Sequence, residues 1–214
     1  MRTTRVRAAR RACPRVAPAH APLRLPRART CRRPRLRRKL QNPRMAIEIC
    51  EALPGRFSPA ELGRLGEIVV AAYDAVGALA GDDEYVPELR DVTRRSREAV
   101  VLAAIDSETR TLLGCVTYVP DASSPWAEHL REGEAGIRML AVDPAGQGRG
   151  VGTALIGACL DRARAEGRQA IFLHSLPVMA RAQRIYARFG FRRVSDRDWV
   201  FPDFLLMGFV LDLS

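Results

Sequence analysis

Four glycines at alternate positions, Gly146, Gly148, Gly150 and Gly152, follow an apolar run, Ile137 to Val142, and lead into an amphipathic helical pattern that begins at Val151. Without a Cβ, backbone at such positions can lie close to a bulky anion. The unpaired N–H groups and the positive dipole end of the following helix attract negative charge, and Arg149 adds a cation. Together these residue types point to a pyrophosphate ligand. A phosphate-binding loop of the G-x-x-x-x-G-K-[ST] kind is excluded, because the one lysine in the chain is Lys39. The dinucleotide spacing G-x-G-x-x-G fits no frame between Gly146 and Leu155, and the strand ahead of the loop lies mid-domain.

A second segment, Arg184-Ile185-Tyr186-Ala187-Arg188-Phe189-Gly190-Phe191, reads as the end of a helix closed by glycine. Gln147-x-x-Gly150-x-Gly152 after Leu-Ala-Val-Asp-Pro resembles the coenzyme A motif of the GNAT superfamily of acyl-CoA N-acyltransferases. Tyr186-x-x-x-Gly190-Phe191 is similar to that family's later helix, at the expected distance. The resemblance spans residues 46–212 and is strongest to small stand-alone bacterial members. It implies an α/β (mixed α+β) GNAT fold: a central mixed, mostly antiparallel sheet flanked by helices, with strands splayed around a coenzyme A slot.

The resemblance also implies roles. Acetyl-CoA is the co-substrate, and a small-molecule or peptide amine accepts the acetyl group by direct attack in a ternary complex. Backbone groups of Leu140, Ala141 and Val142 hold the pantetheine arm, an amide near Leu140 polarising the thioester carbonyl. Amides of Gln147, Gly148, Arg149, Gly150, Val151, Gly152 and Thr153 hold the pyrophosphate. Tyr186 protonates the departing thiolate. Glu134 is a candidate base, since several relatives carry a carboxylate just ahead of this strand. Asp82, Asp83 and Glu84 are expected at the substrate mouth, with Tyr85 and Tyr118 as lining candidates. Met179 stands where many members carry an asparagine that helps to hold pantetheine. His174 and the tryptophans Trp126 and Trp199 read first as structural.

The elements that must position these residues follow from periodicity. Ala46 to Glu51 alternates as a strand, and Ser58-Pro59-Ala60-Glu61 is a capping box with proline at the first helical position. Leu62, Leu65, Val69, Ala72, Tyr73 and Val76 continue at helical spacing, with Gly77 as the stop. Pro87 to Glu98 reads as one polar helix, and Val100–Ile105 with Leu112–Val119 as a hairpin. A strand over Ile137–Val142, a helix from Val151 to Glu166, a strand over Ala170–Leu173, a helix over Pro177–Phe189 and one or two strands from Trp199 to Leu211 complete an alternating α/β pattern.

Charge divides the chain. Residues 1–44 carry 16 of the 35 basic side chains, no acidic one and six of the 14 prolines, whereas residues 45–214 hold 19 basic against 24 acidic, a net −5. The arm therefore reads as disordered, and the acyltransferase domain as 45–214. Three readings of the arm stay open: translation starting at Met45, a solvated tail, or a segment for nucleic acid or organelle targeting. No stretch approaches the length of a membrane span. Five cysteines without C-x-x-C spacing or a histidine cluster give no metal site; Cys115 and Cys159 read as buried, and a reducing cytoplasm suits them. A homodimer is left open. Competing functions are a silent acyl-CoA sensor and nucleic-acid binding through residues 1–44. Removing residues 1–44 is expected to leave a cooperative thermal melt and an unchanged acetyl-CoA affinity; loss of the melt would show that the arm packs on the domain.

Overall fold

The computed structural model describes residues 46–79, 84–202 and 204–213, all within one compact unit that begins at Asn42. The readings for the arm, Asp82 and Asp83 lie outside the described residues. Strand β1 (Ile47–Glu51) is followed by helix α1 (Pro59–Asp74). The capping box forms as read: the Glu61 amide donates to Ser58 Oγ, and Ser58 N–H donates back to the Glu61 carboxylate at 2.8 Å.

One expected helix is two. α2 (Val86–Arg90) and α3 (Val92–Glu98) break at Asp91, which leaves helical geometry at ψ 68° and caps α3 by accepting from the Arg94 amide. The break lies between Leu89 and Val92, which are both buried. It also folds Arg95, fully buried, back onto the carbonyls of Glu88 and Leu89. An arginine in a polar pattern gave no sequence sign of that burial.

The hairpin β2 (Val100–Asp106) and β3 (Leu112–Val119) leads to β4 (Glu134–Val142), which starts three residues earlier than the apolar run suggested. Then come α4 (Val151–Ala165), β5 (Ala170–Ser175) and α5 (Ala180–Phe189), the last starting later than Pro177. Two short strands, β6 (Arg192–Arg193) and β7 (Trp199–Val200), precede β8 (Leu205–Asp212). The sheet runs β1-β2-β3-β4-β5-β8-β6, with β7 pairing on β8. Every pairing is antiparallel except β4–β5, which is parallel. The fold is the mixed, mostly antiparallel α/β architecture expected.

Helices cover both faces. α1 and α3 bury Leu65, Ile68, Val69 and Val92 against one face of the sheet, and α4 buries Leu155, Ile156 and Cys159 against the other. Each large side chain so buried contributes about 1.5–3 kcal/mol. The register of β3 on β4 shifts once: Cys115 faces Ala141 but Thr117 faces Arg138, so β4 holds one extra residue. Met139 sits in that bulge at φ 52°.

α1 crosses α2 so closely that a Cβ on Gly66 would lie 2.2 Å from the Arg90 carbonyl oxygen, whereas one on Gly63 meets nothing within 4 Å. Gly66→Ala is expected to lower unfolding free energy by about 1–3 kcal/mol through overpacking. Gly63→Ala is expected to raise it by about 0.5–1 kcal/mol, since alanine is the better helix residue. Urea titration of the two variants checks the contrast.

Candidate active site

β4 and β5 hydrogen-bond only from Glu134↔Ala170 to Ile137↔Leu173. Beyond that point β5 stays on β8, pairing through Ser175↔Met207, and β4 stays on β3, pairing through Val142↔Gly114. The two strands therefore part. Leu140, Ala141 and Val142 lie on the stretch of β4 that has no partner on the β5 side. Backbone N–H and C=O groups there are open to a ligand, and such groups do not stay unpaired when buried.

The bulge sets what lines the gap. Ile137 packs toward the α4 face, and strict alternation would send Met139 the same way. Instead Met139 joins the α1-side cluster while Leu140 packs against the α4-side one. Arg138 and Met139 thus point consecutively to the α1 side, where both line a cavity of about 690 Å³.

At the far end of β4, Asp143 caps a short turn by accepting from the Ala145 amide, and Arg64 of α1 holds the same carboxylate at 2.6 Å. α4 then starts at Gly150, in the left-handed region at φ 86°, with no side-chain cap. The first amides of the helix have no intrahelical acceptor. Gly148 and Gly150 both have positive φ, and a Cβ on either would meet nothing within 4 Å. That open space over free amides is the cradle a pyrophosphate would fill. Gly146 and Gly152 serve packing: a Cβ would lie 3.0 Å from the Leu113 carbonyl oxygen and 2.9 Å from Ile185 Cδ1, respectively. The four glycines therefore have two functions. Arg181 of α5 donates to Gln147 Oε1, and Arg188 to Thr153 Oγ1 at 3.4 Å, so α5 brings two more cations to the cradle. Val151 places its side chain in the core, leaving its amide for the loop.

Residues 66–191 match the acetyltransferase (GNAT) family. The chain belongs to that family. No curated protein matches it. Among solved structures, a GNAT-family acetyltransferase of Staphylococcus aureus Mu50 is 17% identical, with a TM-score of 0.60 over 79% of this chain and 100% of that one. A GCN5-related N-acetyltransferase of Kribbella flavida is 26% identical, with a TM-score of 0.53 over 78% and 98%. The protein yncA of Salmonella typhimurium, solved with its cofactor acetyl-CoA, is 19% identical, with a TM-score of 0.52 over 79% and 95%.

Within this GNAT domain the singled-out side chains fall unevenly. Tyr186 is buried on α5, its ring tilted against Phe191 and Phe209. Among the described residues its hydroxyl has no hydrogen-bond partner, and burial pushes its pKa up. Burial pushes the Tyr73 pKa up. Tyr73 and Tyr85 line the cavity.

Glu134 is corrected. Both of its oxygens accept from the Arg197 guanidinium at 2.7 Å, and one also accepts from the Arg131 amide. Burial raises its pKa, but these hydrogen bonds outweigh burial and hold it below the usual carboxylate range. It lies where β4 and β5 are still paired, and it lines a separate, smaller cavity. A carboxylate so engaged is a structural anchor and a poor proton acceptor. Tyr118 is also corrected: it is fully buried, and its hydroxyl donates to Glu166 at the end of α4. Glu84 is exposed and outside the cavity lining.

His174, Met179, Trp126 and Trp199 all line the cavity. Burial lowers the His174 pKa, so its ring stays neutral near pH 7. Sequence reasoning missed Glu128, which pairs with Arg138 at 2.5 Å and whose pKa burial pushes up. The available signal was Arg138 itself, a charge inside the apolar run of β4. It also missed Phe201 and Phe204, which line the same space.

Acetyl-CoA is expected to raise the melting temperature of the protein, because it binds only the folded state. Gly150→Val places a branched side chain in the cradle, at a left-handed φ, and should abolish that shift relative to its own ligand-free melt. An unchanged shift would overturn the cradle.

Proposed function

We propose that this chain is an N-acetyltransferase that moves an acetyl group from acetyl-CoA to a primary amine by direct attack in a ternary complex. The observation that carries the reading is the unpaired edge of β4. It runs straight into a glycine cradle at the start of α4 and opens sideways into the cavity. Acetyl-CoA supplies the activated acetyl thioester. The amides of Gly148 and of Gly150 to Thr153 bind the pyrophosphate, those of Gln147 and Arg149 closing the turn on Pro144 and Gly146, and Arg149, Arg181 and Arg188 add charge. Backbone groups of Leu140 to Val142 hold the pantetheine arm in place of a partner strand, and an amide near Leu140 donates to the thioester oxygen.

Tyr186 gives its proton to the departing sulfur. Its raised pKa keeps the phenol protonated at neutral pH, and its lack of a protein partner leaves the hydroxyl for the ligand. Direct attack is supported by the cysteines: Cys115 and Cys159 are fully buried, with the Cys115 thiol pushed up to about 11 and that of Cys159 higher still. Neither is a thiolate near pH 7, as a nucleophile must be.

Tyr186→Phe keeps the ring and its packing but removes the proton. Coenzyme binding should change little while turnover falls by about 10²–10⁴-fold, the usual worth of a positioned general acid. Steady-state thiol release, paired with a coenzyme titration of the same variant, is the measurement. Equal rates would exclude the role, and a wild type that binds acetyl-CoA yet acetylates no amine would favour a sensor.

A further inference from the structure

Polar polycations are the acceptors that an acidic mouth would favour, but the cavity has different walls. Among its described lining residues, only Glu128 and Arg138 carry a full charge, and they face each other. Seven Phe, Tyr and Trp side chains line the rest. One wall is a ladder of rings: Trp199 against Phe201 at 4.7 Å between centroids, then Phe201 stacked on Phe204 at 4.2 Å. At the rim, Phe204 is 43% exposed and Val178 55% exposed. A contiguous apolar rim left in water around a concave site marks surface that a ligand covers.

The polar end is equally specific. Arg138 is fixed by Glu128, by the Trp126 ring below its guanidinium and by the Trp126 carbonyl. Glu88 stands 3.8 Å from the same guanidinium. Glu128 Oε1 takes the Arg138 contact, and among the described residues Oε2 accepts no hydrogen bond. One open carboxylate oxygen, the only one among the described lining residues, matches one amine nitrogen. It does not match a chain of them, since each further cation would lose its hydration without a partner.

We infer that the acceptor is a primary amine carried on an aromatic or similarly bulky apolar body, its ring against Trp199, Phe201 and Phe204 and its nitrogen directed to Glu128. This rests on the acetyl-transfer reading above and specifies its substrate class. Aromatic bodies gain both buried area and edge or face contacts in such a site.

Both tryptophans of the chain, Trp126 and Trp199, line this cavity, so intrinsic fluorescence reports its occupancy without any turnover. The full chain, saturated with coenzyme A, is titrated with 2-phenylethylamine, with spermidine and with a lysine-containing peptide. A saturable change is expected with 2-phenylethylamine, and about tenfold or more weaker binding of the other two. Phe201→Ala and Glu128→Gln should each weaken 2-phenylethylamine by about tenfold or more, as truncating an anchor does. Phe204→Ser, at a rim position, provides a variant whose fold does not depend on the change, and it should weaken the same ligand. Spermidine or the peptide binding as tightly as 2-phenylethylamine, no saturable change with 2-phenylethylamine, or binding indifferent to all three substitutions would overturn the proposal. The acetyl-transfer reading fails separately, if acetyl-CoA gives no thermal shift or if no amine in the same panel releases thiol.

Discussion

The parting of β4 from β5 is the constraint on which the rest of this molecule depends. A parallel pair that continued to Val142 would satisfy its own backbone and leave neither a slot nor a cavity. The divergence coincides with the bulge at Met139, and bulges add local twist and bend the strand that contains them. A non-glycine residue in the left-handed region costs about 1–3 kcal/mol. It persists because neighbouring structure over-determines it: Met139 is buried in the α1-side cluster, and β3 grips β4 on both sides of the irregularity.

From that one distortion the chemistry is arranged in three directions. Along β4, unpaired backbone leads to the glycine cradle. On the α4 side, Tyr186 of α5 is buried in the core, while Tyr73 of α1 lines the cavity on the opposite face of the sheet. Toward α1, the consecutive placement of Arg138 and Met139 on one side of β4 brings the guanidinium into the cavity, where it meets Glu128.

Two arginine–carboxylate pairs show how similar residues come to differ. Arg197 grips both oxygens of Glu134 and lies 3.6 Å over the Phe172 ring, also donating to the His129 carbonyl, so the pair ties the β5 face to the start of β4. Breaking such a buried pair by removing one partner costs about 3–5 kcal/mol. Arg138 meets Glu128 through Oε1 and is itself shared with Glu88 and Trp126. The first pair is closed and structural, and the second keeps one acceptor for something else.

How much of this was legible depended on the range of the forces involved. The capping box at Ser58, the hairpin, the left-handed glycines ahead of α4, the burial of Cys115 and Cys159 and the helix ending at Gly190 are settled by neighbours a few residues apart, and by strand and helix periods. The sequence by itself therefore determined the family and most of the order of elements, the break at Asp91 excepted. It did not determine that Glu134 would be matched by Arg197, 63 residues away, or that the Tyr118 hydroxyl would reach Glu166. Nor did it divide the four glycines into two that pack and two that leave space, which depends on Leu113 and Ile185 standing opposite. Above all, the bulge at a methionine is invisible to local propensity. Only the simultaneous demands of β3, α1 and α4 on one strand fix it, and the side on which Arg138 and Met139 emerge is a property of that packing.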